Sequence, residues 1–263
     1  MSLGEILSLK GVRPLSMLTC YDYLTAQILA KTDIDIILVG DSVAQVVHGH
    51  PSTLPATLEM MALHTESVRR GAPEKFIVSD LPFGTFQISQ EDATRAAVRL
   101  LKAGANAIKL EGCLGIEETI KHLVLMGIPV VGHLGLTPQS FNQIGYKVQG
   151  KTIESVRRLK EESLALEQLG ASLVVLECLP TQLASDITQQ LKIPTIGIGA
   201  GPGCDGQVLV ITDLLGLSSG HQPKFVKNYA DSLEWVTAAI NAYIDEVRQQ
   251  KFPSAEHSYG STI

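Results

Sequence analysis

The sequence predicts an α/β fold, a closed (β/α)8 TIM barrel with one additional C-terminal helix. Eight short apolar runs alternate with longer helical patterns from end to end. The length of 263 residues suits one such barrel. An open dinucleotide-binding sheet would carry a glycine-rich loop after its first strand, and Cys20-Tyr21-Asp22-Tyr23 stands there instead. The whole chain, 1–263, therefore reads as a single barrel domain.

The expected strands are 15–19, 34–39, 76–79, 107–110, 130–133, 173–176, 195–198 and 208–211. They are predominantly apolar, as parallel strands covered on both faces must be. Between them, helical patterns end at glycine or before proline. The segment 57–70 stops at Gly71, with Pro73 beyond. The segment 89–103 opens with Ser89 and Asp92, spaced like a capping box, and stops at Gly104. Segments 116–126 and 152–169 stop at Gly127 and Gly170, and 182–191 ends before Ile193-Pro194. After the eighth strand, 231–250 reads as the extra helix. Leu233, Val236, Ile240, Tyr243 and Val247 recur on one side, widened by Trp235, Ala239 and Ile244.

Composition narrows the function classes. Apolar residues at 45% against 18% charged exclude a disordered chain. A net charge of −6 without a Lys/Arg block gives no footprint for nucleic acid or an anionic membrane. No apolar run approaches the roughly 20 residues that span a bilayer. Residues 1–13 lack the character of a secretion or transit signal. The cysteines Cys20, Cys113, Cys178 and Cys204 are far apart, so neither a disulfide framework nor a zinc site is expected, and a cytoplasmic setting fits.

Barrel enzymes keep their chemistry at the C-terminal strand ends. Here strand two closes with Gly40-Asp41-Ser42 and strand three with Ser79-Asp80. Strand four carries Lys109 and Glu111, strand five His133, and strand six Glu177. One strand-end carboxylate can simply cap the next helix. Five consecutive strands ending in charged or metal-capable side chains go beyond capping.

Lys109 and Glu111 lie two apart, so they share a face. Asp41, Asp80 and Glu111 can partner the lysine, but three carboxylates outweigh it and ask for a cation. Oxygen donors without cysteine favour Mg²⁺ or a similar hard metal. Such a site suits a chelating 2-oxo acid, whose enolate a Lewis-acidic metal stabilises. Lys109 and His133 are then expected to bind the substrate carboxylate, and Glu177 to act as the base.

Other features carry less. Gly201-Pro202-Gly203-Cys204-Asp205-Gly206 fits G-x-G-x-x-G formally, yet it follows a late strand and contains proline, so it reads as a rim loop. His48-Gly49-His50 sits in a Pro/Ser/Thr-rich loop and reads as structural. Met60, Met61 and Met126 fall in helical stripes and read as core.

Several stretches together resemble the ketopantoate hydroxymethyltransferase family. They are ILVGDS ending at Ser42, STLPATLEM from Ser52, HTESVRRGAP from His64 and SDLPFG from Ser79. AIKLEG from Ala107, GHLGLTPQS from Gly132, LECLP from Leu176 and IGIGAG from Ile196 complete the set. The resemblance implies a barrel of the phosphoenolpyruvate/isocitrate-lyase-like group. It implies hydroxymethyl transfer from methylenetetrahydrofolate to 3-methyl-2-oxobutanoate with Mg²⁺, in a homo-oligomer, commonly a decamer. By motif it assigns metal binding to Asp41, Asp80 and Glu111, and substrate binding to Asp41, Ser42, Asp80, Lys109 and His133. It assigns proton abstraction to Glu177. Two positions depart from the family pattern. The loop 142–146 has one glycine where two are usual, and Pro51 follows His50. The rival readings are a folate-independent mutase or lyase of the same barrel group and a barrel that only binds a metabolite.

Overall fold

Alternation within each strand builds the interior of the barrel. The computed structural model describes residues 1–218, 220 and 222–260. Its strands are β1 (Leu15–Thr19), β2 (Ile36–Val39), β3 (Phe76–Asp80), β4 (Ala107–Glu111), β5 (Val130–Gly135), β6 (Leu173–Glu177), β7 (Thr195–Ile198) and β8 (Gly206–Leu209). All pair in parallel with their sequence neighbours, and β8 returns to β1, closing the barrel. Every other residue enters one buried cluster, among them Leu15, Met17, Ile36, Leu38, Phe76, Val78, Ala107, Val131, Leu173, Val175, Ile196 and Val208. Residues of the opposite parity, such as Ile37, Ile77, Ile108 and Val174, are buried as well. Their cover comes from helices that follow the strands, including Leu58–Gly71 on β2 and β3 and Gln90–Lys102 on β4. Double burial is why these strands read as largely apolar runs.

A short helix, Leu3–Ser8, precedes β1 and carries Ile6 into the same inner cluster, with Leu3 and Leu9 packed beside it. Its partners there include the first residues of β1, β2, β3, β4 and β6, so it seals the N-terminal end of the barrel. The opposite end is left for chemistry.

Two strands differ from expectation. β2 starts at Ile36 because Asp35 turns to Arg13 and Ser16 instead of joining the run. β8 covers 206–209 rather than 208–211. Gly206 pairs with Leu15 and Ile196, where an added Cβ would stand 2.5 Å from the Leu15 carbonyl oxygen. Ile211 instead opens a helix, Ile211–Leu214.

Helix starts follow capping chemistry. Thr57 accepts from the Met60 N–H, and Ser89 accepts from the Asp92 N–H. The Asp92 carboxylate takes the Ser89 hydroxyl, so only the Ser89 half of the expected box forms. Thr152 and Ser155 form a complete reciprocal box at the start of Ile153–Gln168. Asp22, in the segment after β1, caps the helix Tyr23–Ala30.

The chain divides into two compact units, Met1–Val210 and Ile211–Ile263. The first contains all eight strands. The second contains the helices Ile211–Leu214 and Ser232–Arg248, the latter inside the expected 231–250. Among the described residues, no helix is long and apolar enough to cross a membrane.

Candidate active site

The inward face of each strand changes character along its length. Apolar layers fill the lower barrel, and the same parity then delivers Asp80 on β3, Lys109 and Glu111 on β4, His133 on β5, and Glu177 on β6. Register sets them side by side: Asp80 pairs with Lys109, and Glu111 with His133. Asp41 and Ser42 lie just beyond β2, where the chain turns into the short helix Val43–Val46. The Asp41 N–H donates to Asp80 Oδ2 at 3.0 Å. Gly40 allows that turn, since an added Cβ would meet Ser42 Oγ at 2.8 Å.

Direct contacts join six of the seven expected residues. Lys109 Nζ stands 3.2 Å from Asp80 Oδ1, an ion pair that lacks hydrogen-bond alignment. Lys109 Nζ is also 3.3 Å from His133 Nδ1. His133 Nδ1 lies 3.3 Å from Glu111 Oε1, and Nε2 lies 3.2 Å from Glu177 Oε2. The imidazole is buried between two carboxylates, and its pKa rises to about 9. Burial and Lys109 oppose that charge, and Glu111 and Glu177 outweigh them. An imidazolium carries a proton on both nitrogens, so Nδ1 cannot accept from Lys109 and that approach brings two cations together. The contacts to Glu111 and Glu177 are ion pairs, with Nε2 making no hydrogen bond. The seventh residue, Ser42, bonds through Oγ to the Tyr21 hydroxyl at 2.8 Å.

Three carboxylates crowd one side. Burial, then Asp80 and Glu111, push Asp41 well above the usual carboxylate range. Burial also raises Asp80, partly offset by Lys109. Glu111 stays low despite burial because His133 and Lys109 face it. Lys109 is raised: burial opposes its charge, and Asp80, Glu111 and Asp41 prevail.

Three contributors escaped the sequence reading. Gln139, on the turn Pro138–Ser140 after β5, donates its N–H to Glu111 Oε2 and its side-chain amide to Asp41 Oδ2, both at 2.8 Å. Its amide also reaches the Leu81 carbonyl at 2.9 Å. Tyr21 is buried behind Ser42. Tyr146 lies close enough to Glu177, Asp41 and Glu111 for their charges, after burial, to raise its phenol. The only available signal for Gln139 was a proline-started turn directly after the fifth strand.

Cys178 follows Glu177 with φ 51, in the left-handed region, and its N–H donates to the Ile198 carbonyl at 2.9 Å. Strain of this kind concentrates where surrounding structure fixes a functional neighbour. Burial and Glu177 push the Cys178 thiol up to about 12, so it is no thiolate nucleophile at neutral pH.

Among the described residues, no three acidic, histidine or cysteine side chains already surround a single point as a metal cage. Asp41, Asp80 and Glu111 are close neighbours whose oxygens are engaged by Gln139, the Asp41 N–H, Lys109 and His133. Their chemistry nonetheless fits a hard divalent cation. The donors are carboxylate oxygens, Asp80 Oδ1 is buried without a hydrogen bond, and crowding drives Asp41 toward its neutral form. A cation there would relieve that repulsion.

The model of the ketopantoate hydroxymethyltransferase family matches residues 1–255. The chain belongs to this family. A 3-methyl-2-oxobutanoate hydroxymethyltransferase of Legionella pneumophila (strain Philadelphia 1) is 53% identical over 249 residues, 94% of this chain and 95% of the relative. Among solved structures, 2,3-dimethylmalate lyase, a PEP mutase/isocitrate lyase superfamily member, matches with TM-score 0.60 at 17% identity, covering 98% of this chain and 91% of that one. Phosphonopyruvate hydrolase in complex with oxalate and Mg++ matches with TM-score 0.62 at 11% identity, covering 98% and 93%. These distant structures share the barrel fold with this chain.

Proposed function

We infer that the chain transfers the one-carbon unit of methylenetetrahydrofolate to 3-methyl-2-oxobutanoate, giving 2-dehydropantoate, a step of pantothenate biosynthesis. Within this family, the observation that carries the reading is the chain of contacts Asp80–Lys109–His133–Glu177 at one barrel mouth. It supplies two buried cations beside a carboxylate base and a cluster of carboxylates.

Asp41, Asp80 and Glu111 would hold Mg²⁺, which supplies Lewis acidity toward the keto group and steadies the enolate charge. Lys109 and His133 bind the substrate carboxylate, and Ser42, fixed by Tyr21, offers its hydroxyl to the keto acid. The Glu177 carboxylate, ion-paired with His133 Nε2, removes the single proton on the carbon beside the ketone. Opening of the donor's methylene bridge to its iminium form breaks the bond to one folate nitrogen, which takes up a proton and so balances the one Glu177 removes. The carbanion carbon attacks the methylene carbon, making the new carbon–carbon bond while the carbon–nitrogen π pair returns to the other nitrogen. Water then replaces the folate nitrogen: the carbon–nitrogen bond breaks, the nitrogen keeps its electron pair and takes a proton. One water is consumed, and 2-dehydropantoate and tetrahydrofolate leave.

The reading includes a cytoplasmic setting, supported by four free cysteines. It also includes the homodecamer that the family resemblance implies. Exposed Trp235, Ile240 and Tyr243 on the Ser232–Arg248 helix support assembly.

The test is formation of 2-dehydropantoate from the two substrates, with and without chelator. Product should vanish with chelator and return with Mg²⁺. Glu177→Gln should cut kcat by roughly 10²–10⁴-fold, the usual contribution of a positioned base, while the variant still binds the keto acid. Full turnover in that variant would remove Glu177 from the role.

A further inference from the structure

The loop between β5 and the Ile153–Gln168 helix is tied to the site at both ends. At one end, Gln139 holds Glu111 and Asp41. At the other, the Gln149 N–H donates to the Cys178 carbonyl at 2.9 Å, one residue beyond Glu177. Residues 140–148 must therefore arch beside the mouth, between the carboxylate cluster and the base. Within that arch Phe141 and Tyr146 stack, with ring centroids 5.3 Å apart and planes 19° apart. Gly145, at φ 67, lets the chain turn back so that the two rings meet. Tyr146 remains 56% exposed, so much of its ring lies bare at the rim.

Lys109, Asp80 and His133 are buried, so a small keto acid fits at their depth and a pteridine-bearing carrier does not. The carrier must rest on the rim and reach inward with its methylene carbon. A flat heteroaromatic ring finds its best neutral partner in an aromatic face. We propose that the stacked Phe141–Tyr146 pair is the platform on which the pteridine ring of the one-carbon donor lies. This rests on the reading that the donor is methylenetetrahydrofolate. It also gives a role to the one loop, 142–146, whose glycine content departs from the family pattern.

The experiment is steady-state kinetics on the full-length protein with Tyr146→Ala and Tyr146→Phe, together with direct binding of tetrahydrofolate. Tyr146→Ala should raise the donor KM and the tetrahydrofolate Kd roughly tenfold or more, the effect of losing one aromatic stack. The keto-acid Kd should hold, and Tyr146→Phe, which keeps the ring, should restore donor binding. The platform is overturned if Tyr146→Ala leaves the donor KM and tetrahydrofolate Kd unchanged, or if it weakens the keto acid equally. If wild-type protein makes no product from the two substrates, the donor reading itself falls, and the platform with it.

Discussion

Asp35 is buried just before β2 and accepts from both Arg13 guanidinium nitrogens, at 2.9 and 2.6 Å, and from the Ser16 N–H and hydroxyl on β1. Burial disfavours its charge, yet Arg13 and Ser16 outweigh it and hold the pKa below the ordinary value. A depressed carboxylate contributes stability above its unfolded pKa of about 3.9, and loses it as pH falls through the lower folded value. Asp35→Asn should therefore lower unfolding free energy at pH 7 by roughly 1–3 kcal/mol, the range for bonds to a charged group. Urea titrations from neutral pH into acid should show the gap to wild type closing, and a gap that widens in acid would contradict this account. The gathering of the charged candidate residues was legible in the sequence because parity along a strand carries Asp80, Lys109, Glu111, His133 and Glu177 inward at one end. Gln139, Tyr21 and Tyr146 were not. They are uncharged, lie in connecting segments without periodicity, and acquire their contacts only through tertiary folding.

Between residue and molecule, the junction of β5 with β6 governs where Glu177 sits. The Leu136 N–H donates to the Glu177 carbonyl at 2.9 Å, and Gly135 turns there at φ 98. An added Cβ at Gly135 would run into that same carbonyl oxygen. Gly135→Ala should therefore cost more than about 1 kcal/mol in stability, since it adds a left-handed strain to the clash. It should also depress kcat, read in a product assay at saturating substrates. A variant with wild-type kcat would show that this junction does not set the proposed base. Strands were the most legible elements because burial on both faces leaves them largely apolar. β8 was shifted because it starts with Gly206-Gln207, chosen for close strand approach and without aliphatic signal. The Tyr23–Ala30 helix was missed for the opposite reason: Leu24 and Ile28 stand exposed, so its apolar residues trace no single buried stripe.

For the molecule as a whole, eight parallel strands closing on themselves were readable as a count and an order, although β7 passes to β8 without an intervening helix. The Ser232–Arg248 helix has no buried residue, although its sequence carries an apolar stripe. Sedimentation should show wild-type protein as a closed oligomer, and Ile240→Glu should shift it to smaller species. A monomeric wild type would leave the stripe unexplained. The helix Leu3–Ser8 has a different consequence. With Ile6 set among the lowest inner residues, the described residues block the barrel at its base and leave its mouth as the doorway. Traffic through one doorway must be sequential. With the proposed folate donor, the keto acid would enter before the bulkier folate stands over it, and 2-dehydropantoate would wait until tetrahydrofolate has gone. Initial-rate studies should then find 2-dehydropantoate competitive against the keto acid and tetrahydrofolate not, whereas competition by both would mean a second way in.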